Sequence, residues 1–223
     1  MSPHAPGAAG SGPPTGRPAV DGGVPARSGL TAKGRMTRQR IVAAAAELIF
    51  ERGVATTTVE AVQAAANVSA SQLYHYFGDK EALVRAVIEH QTETIIGVQE
   101  SADLGSIDGL RAWRDMVVGF EGRLGCRGGC PIGSLGSQLA ETDTEARVGV
   151  AAGFGRWEDT IRSGLGAMQA DGTLRREANV DDLALALLAA MQGGLLLTQM
   201  RRDVRPLEVA LDAMIDRIES LTT

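Results

Sequence analysis

Within five residues, Ser71, Gln72, Tyr74 and His75 present a hydroxyl, a carboxamide, a phenol and an imidazole. These groups combine donors and acceptors with the reach needed for base edges and backbone phosphates. Lys80 follows at the start of the next helical stretch, where the helix dipole mildly disfavours a cation. A phosphate partner would account for it. The set suits recognition rather than bond making. The chain has no phosphate-cradling glycine loop after a strand and no His-x-x-x-His pair. Ser134, in Gly133-Ser-Leu-Gly136, fits a nucleophile elbow poorly. An enzymatic reading therefore finds no support, and no cofactor is expected. Cys126 and Cys130 leave two readings open, a redox or metal-linked pair or plain loop and core thiols. The second is the better supported, because His4, His75 and His90 all lie far from them in sequence and the spacing is not that of a zinc site.

The elements that must position these side chains are short helices. A first helix is expected from about Thr37, carrying Ile41, Val42, Ala45, Leu48 and Ile49 on one face and stopping at Gly53. A second follows Thr57, with Glu60 placed to complete a capping box and Val59, Val62 and Ala66 turned inward. Asn67-Val68-Ser69 is a very short link, and asparagine tolerates the left-handed conformation that such a turn needs. Ser69 and Gln72 form a second capping box for a helix from Ala70 to Phe77. Two short helices joined by a three-residue turn, the second polar on one face, read as a helix-turn-helix. Val59, Val62, Val68, Leu73 and Phe77 would fix their crossing, and three capped helix N-termini would offer backbone donors to phosphate.

Beyond Gly78 the pattern stays helical. Asp79 caps a long helix to about Val98, and another spans about Ile107 to Leu124. Gly125 to Gly136 reads as a glycine-rich connection, followed by a short helix to Glu141. Thr142 and Glu145 open a long helix that ends before Gly172. Asn179 caps a very apolar helix from Val180 to Arg201, and Pro206 opens the last one, ending near Leu221. Composition agrees: 44% of residues are hydrophobic but only 4% aromatic, with Ala and Leu dominant, which favours helix over sheet. The expected class is all-α.

The net charge of −5 argues against a nucleic-acid partner, but its distribution does not. Residues 1–52 carry seven basic side chains against three acidic ones, a net +4 that leaves −9 on the rest. A basic front on an acidic body suits one DNA-facing end. The stretch Leu183 to Leu197 is interrupted by Gln192, Gly193 and Gly194 and is shorter than the roughly 20 residues a membrane span needs. No export signal is read at the start. The expectation is a cytoplasmic protein without a membrane partner.

The run from Thr37 through Glu47-Leu48, then Gly53, Thr57-Thr-Val-Glu60, Asn67-Val-Ser69 and Leu73-Tyr-His-Tyr-Phe-Gly-Asp-Lys-Glu-Ala-Leu83 closely resembles the tetracycline-repressor family in order, spacing and residue type. The resemblance covers about residues 35–90. It implies a helix-turn-helix DNA-binding domain at 35–80 and a helical ligand-binding and dimerisation domain at 81–223, while residues 1–34, rich in Gly, Pro, Ala and Ser with little to bury, read as a flexible, disordered tail. It also implies a homodimer on double-stranded palindromic operator DNA, most often a repressor released by a small-molecule inducer. Thr58, Ser71, Gln72, Tyr74, His75 and Lys80 match the positions that usually face DNA, while Tyr76 and Phe77 match positions that mostly pack inside. Asn67 replaces the usual glycine, Ala70 a long polar residue and Gln72 a small one, departures that bear on which operator is read. Gly129-Cys-Pro-Ile-Gly-Ser-Leu135, Trp157-Glu158 and Leu187 to Leu195 are similar to the LmrA/YxaF-like branch, which controls drug-efflux or oxidative genes.

A ligand pocket should be mostly apolar with a few polar groups. The scarce large side chains of the middle helices are the candidates: Trp113, Met116 and Phe120, then Phe154, Trp157 and Met168, then Met191 and Gln192. Each can equally be plain core. The tryptophans are the most suggestive, because an indole N–H is costly to bury unpartnered. The last two helices are too apolar for an outer surface, so Leu188, Leu195, Ala210, Leu211, Met214 and Ile218 are the candidate dimer contacts, in a four-helix interface. Gly193-Gly194 inside a helix implies either close helix approach or a kink.

Overall fold

The computed structural model describes residues 30–223, among which there are nine α-helices and no strand. In chain order they are α1 (Ala32–Arg52), α2 (Val59–Ala66), α3 (Ala70–Phe77), α4 (Lys80–Glu100), α5 (Ile107–Arg123), α6 (Pro131–Leu139), α7 (Thr144–Ala170), α8 (Val180–Arg201) and α9 (Arg205–Glu219). The tail expected at 1–34 lies outside the described residues up to position 29.

Local chemistry explains most of the helix ends. Ser69 accepts from the Gln72 amide while Gln72 accepts from the Ser69 amide, so the α3 capping box forms as expected. Asn67 sits at φ 50° and ψ 58°, the left-handed turn that its sequence position requires. Asp79 caps α4 and Asn179 caps α8.

Four boundaries differ from the sequence reading, each for a physical reason. Helix α1 begins one turn and more before Thr37. Thr31 is its N-cap, the Thr37 hydroxyl donates to the Lys33 carbonyl, and the added turn brings Gly34 beside the Tyr76 hydroxyl of α3. The Thr57–Glu60 box does not form. Thr57 is buried and donates back to the Gly53 carbonyl at 2.8 Å, leaving Thr58 to cap α2. Asp143, not Thr142, caps α7. The stretch to Gly136 is not a connection throughout, because α6 begins at Pro131 with Cys130 as its cap. Its glycines are packing surfaces. A Cβ on Gly133 would stand 2.9 Å from Gln192 Oε1, and one on Gly136 would stand 3.1 Å from Val150.

Two cores result. One is built from Ile41, Val42, Ala45, Val62, Leu73 and Phe77 and continues into Leu83–Ile88 of α4. It also takes in Leu135 of α6 and Ala146 and Val150 of α7, so it does not end at residue 80. The other gathers Leu110, Trp113, Trp157, Ile161, Leu165, Leu187, Leu207 and Leu211 from α5 and α7–α9. Phe154 is half-buried and packs against both. Ion pairs trim the larger bundle, among them a part-buried, two-pronged Arg114–Asp212 contact from α5 to α9.

Helix α8 is long and apolar enough to cross a bilayer, longer than the interrupted run read from sequence. One face packs inside the bundle, however. Gly194 is the point where α8 and α9 meet, since a Cβ there would lie 2.9 Å from Leu207 Cα. That selects close helix approach over a kink. Gly193, beside it, faces open space.

Candidate nucleic-acid interface

Helix α3 has eight residues, too few to be helical alone. It is held by Leu73, fully buried, and Phe77, nearly so, against α1 and α2. At about 100° per residue, Ser71, Gln72, Tyr74 and His75 then fan across the opposite half of the helix. All four are exposed. Tyr76, between the two faces, is half-buried with its ring edge-on to His75, and the Arg38 guanidinium covers the Phe77 ring at 5.1 Å.

Two of the expected contacts carry a second duty. Gln72 spends its Oε1 on the Ser69 amide at 3.0 Å, so only its N–H groups remain free to donate outward. Lys80 is not a free cation awaiting phosphate. Its Nζ donates to the Val54 carbonyl at 3.0 Å, which explains a lysine at the α4 N-terminus without invoking DNA. Two further ammonium protons remain for a phosphate. Thr58 is exposed and accepts from Ala61 N as the α2 cap. The α2, α3 and α4 N-termini are each capped, by Thr58, Ser69 and Asp79.

Sequence reasoning missed Gln138. From α6 its Oε1 accepts from the Val54 amide at 2.9 Å, so the α1–α2 turn is held from one side by Gln138 and from the other by Lys80. Gly53, at φ 84°, leaves the space for this approach. No local signal marks the pair, whose members are 84 positions apart. Gln138→Ala is expected to raise amide hydrogen exchange at Val54 and its neighbours at least tenfold while α7–α9 stay protected. Unchanged exchange at Val54 would show that the bond does not hold the turn.

The candidate ligand residues separate. Trp113 is buried and its Nε1 donates to Gln99 Oε1 at 2.5 Å, a satisfied structural pair. Trp157 is equally buried, but its Nε1 has no partner. Met168 and Met191 are core, and Gln192 is half-buried with its Nε2 unpartnered. Met116 and Phe120 are corrected: they lie on the outer face of α5, Phe120 52% exposed, because α5 turns Trp113, Val117 and Val118 inward instead. An open cleft of about 530 Å³ between the α4–α5 connection and α7 is lined by Gln99, Glu100, Asp159, Thr160 and Ser163 among others, and by none of the eight candidates.

The candidate dimer residues need a similar correction. Leu188, Leu195, Leu211 and Ile218 are buried within their own protomer, and Ala210 and Met214 are half-buried. What α8 and α9 turn outward is the other face, with Leu185, Ala189, Gly193, Leu196 and Met200 on α8 and Val209 and Ala213 on α9. Both cysteines are buried free thiols. Burial pushes the Cys130 thiol above its usual range.

A helical chain that presents a hydrogen-bonding recognition helix from a compact helix-turn-helix, fused to a larger helical bundle, is a helix-turn-helix transcription regulator. Residues 41–87 match the profile of bacterial regulatory proteins of the tetR family, and residues 106–214 that of the tetracyclin repressor-like C-terminal domain. The chain belongs to the tetracycline-repressor family, whose members are DNA-binding regulators and not enzymes. It is 25% identical over 194 residues to the HTH-type transcriptional repressor DhaR of Mycobacterium sp. (strain GP1), covering 83% of this chain and 96% of that protein. A TetR transcriptional regulator of Chloroflexus aurantiacus is similar in structure with a TM-score of 0.73 at 29% identity, covering 86% and 98% of the two chains. A TetR-family regulator from Cytophaga hutchinsonii reaches a TM-score of 0.78 at 19% identity over 87% and 99%, a likeness of fold.

Proposed function

We propose that this regulator binds a palindromic operator as a homodimer, represses transcription there, and is released by a small apolar or aromatic ligand. The observation that carries the DNA reading is the fan of Ser71, Gln72, Tyr74 and His75 on the half of α3 left bare by Leu73 and Phe77. Thr58 and Lys80 flank it as phosphate contacts. The DhaR relative is a transcriptional repressor, and the branch resemblance makes efflux or oxidative genes the first targets to test.

Dimerisation rests on the outer face of α8 and α9. A stripe with Leu185 and Leu196 at its ends and Ala189 and Gly193 between them suits close packing against a second copy. That copy, rather than lipid, is the natural cover for a helix whose other face is core. The buried polar atoms without partners in the larger domain favour a ligand over a purely architectural DNA binder. They are Thr92 Oγ1, Glu121 Oε2, Trp157 Nε1 and Gln192 Nε2, and buried polar groups are normally satisfied. Ligand binding would act by shifting α4 and α6, both of which enter the N-terminal core, and so changing the separation of the two recognition helices.

Footprinting on DNA from the regulator's own upstream region, across several salt concentrations, tests the central claim. A protected palindrome with steep salt dependence is expected. His75→Ala should weaken binding to that site by about 1–3 kcal/mol and relax preference at one base position, with little effect on unrelated DNA. Equal losses on both DNAs would remove His75 from base readout. No protected site in any genomic fragment would sink the operator reading.

A further inference from the structure

Glu121 is the one ionisable side chain among the buried polar residues of the described chain, 4% exposed on the inner face of α5. Its Oε2 has no hydrogen-bond partner, and among the described residues no cation pairs with it. Arg202, which reaches the loop after α5, donates to the Cys126 carbonyl instead. Gln192 of α8 also buries an unpartnered group, its Nε2, while its Oε1 stands beside Gly133 and the Cys130 thiol. The Cys130 sulfur accepts from the Gly133 amide at 3.4 Å as the cap of α6, and it lies close enough to Glu121 and Gln192 to feel both. The same stretches of α5 and α8 carry apolar core residues, Val117 and Val118 beside Glu121 in sequence and Leu188, Met191 and Leu195 around Gln192 in sequence.

A buried carboxylate oxygen with nothing to pair it is a costly arrangement that a folded core does not retain by packing alone. Desolvation holds the Glu121 carboxyl above the usual carboxylate range. Three kinds of occupant can be weighed. An anion would be repelled by the carboxylate. A neutral apolar body would cover both unpartnered atoms and leave the cost in place. A protonated amine on an apolar body supplies charge and N–H donors to the carboxylate together, while its body meets the valine and leucine side chains.

We propose that Glu121, with Gln192 and the Cys130 thiol beside it, is the polar anchor of the inducer site, and that this anchor takes an organic monocation bearing N–H donors. The assignment rests on the ligand-responsive reading above and names the chemistry of its ligand. It also places the ligand at one end of a lever. Cys130 caps the start of α6, and Gln138 near the other end of the same nine-residue helix holds the Val54 turn of the DNA-binding unit. Occupation of the anchor displaces the α6 cap, and that displacement reaches the helix-turn-helix through Gln138.

The test uses the full-length protein with three matched probe series: phenylalkylamines, the corresponding phenylalkanols and the corresponding phenylalkanoates. Thermal shift reads binding, and fluorescence anisotropy on the operator reads release. The amines are expected to raise Tm and to weaken operator binding at least tenfold, while alcohols and carboxylates of equal length do neither. Glu121→Gln should lose at least tenfold in amine affinity. It should also raise the Tm of the unliganded protein by about 2–4 °C, since an unpaired buried charge is removed. A fall in Tm for Glu121→Gln would show that the carboxylate already has a stabilising partner, and would overturn the proposal. So would alcohols or carboxylates matching the amines, or no response to any of the three series. Failure of the ligand-responsive reading itself is distinguishable, because then no compound of a broad apolar library would shift Tm or release operator.

Discussion

Leu196→Glu is expected to convert the protein from dimer to monomer and to weaken operator binding by about 100-fold or more. Leu196 is 57% exposed in the protomer, so a glutamate there meets water in the isolated chain and leaves the bundle core intact. In a two-fold interface the patch that holds Leu196 meets the same patch of the second copy, so a carboxylate from each chain would be brought into an apolar seam. Loss of the dimer removes the linkage between two recognition helices. Each half-site is then held alone, without the high effective concentration that the second contact supplies. Light scattering reads the mass, and anisotropy reads the affinity. The buried neighbour gives the contrast: Leu195 points inward, so Leu195→Ala should cost about 2–5 kcal/mol of stability without a specific effect on assembly. A dimeric Leu196→Glu protein with intact operator affinity would place the interface elsewhere.

Leu73→Ala is expected to abolish operator binding while most helical structure survives. The side chain is fully buried and, with Phe77, is what fastens α3 to its neighbours. Truncation costs roughly 2–5 kcal/mol, and an eight-residue helix has little intrinsic stability to offset it. The loss falls on a small unit while α5 and α7–α9 keep a separate, larger core. Hydrogen exchange should therefore show residues 58–77 opening while Ile161, Leu165 and Leu187 stay protected. Leu73→Met, which conserves volume, should retain binding. Wild-type affinity in Leu73→Ala would mean that α3 is positioned by something other than this contact.

Much of the DNA-binding unit was legible before any coordinates, because its determinants are local. A cap and its partner three residues on, as in Ser69 and Gln72, need only one turn of backbone to find each other. Asn67 in a left-handed turn and the Leu73–Phe77 face are likewise one-helix facts. Where two equivalent residues adjoin, sequence alone misplaced the cap: Thr57 and Thr58 differ only in that the first is folded back onto Gly53. The glycines of α6 were read as a connection for a related reason. Glycine has poor helix propensity, and only the nearness of Gln192 and Val150 makes a small residue necessary there.

By itself, then, the sequence determined an all-α chain, the order of its helices, the recognition helix and the polar side chains that α3 turns to solvent. Each of those follows from periodicity and capping within a few residues. Tertiary structure decided which way the longer apolar helices face. A helix as uniformly apolar as α8 carries no periodic signal of its inner side, so Leu188 and Leu195 turned inward and Leu185 and Leu196 outward only once α7 and α9 had packed against it. It decided too that Trp113 is satisfied by Gln99, that Lys80 and Gln138 grip one turn from two sides, and that Glu121 buries an unpartnered Oε2. These are relations between residues distant in the chain, and only packing creates them.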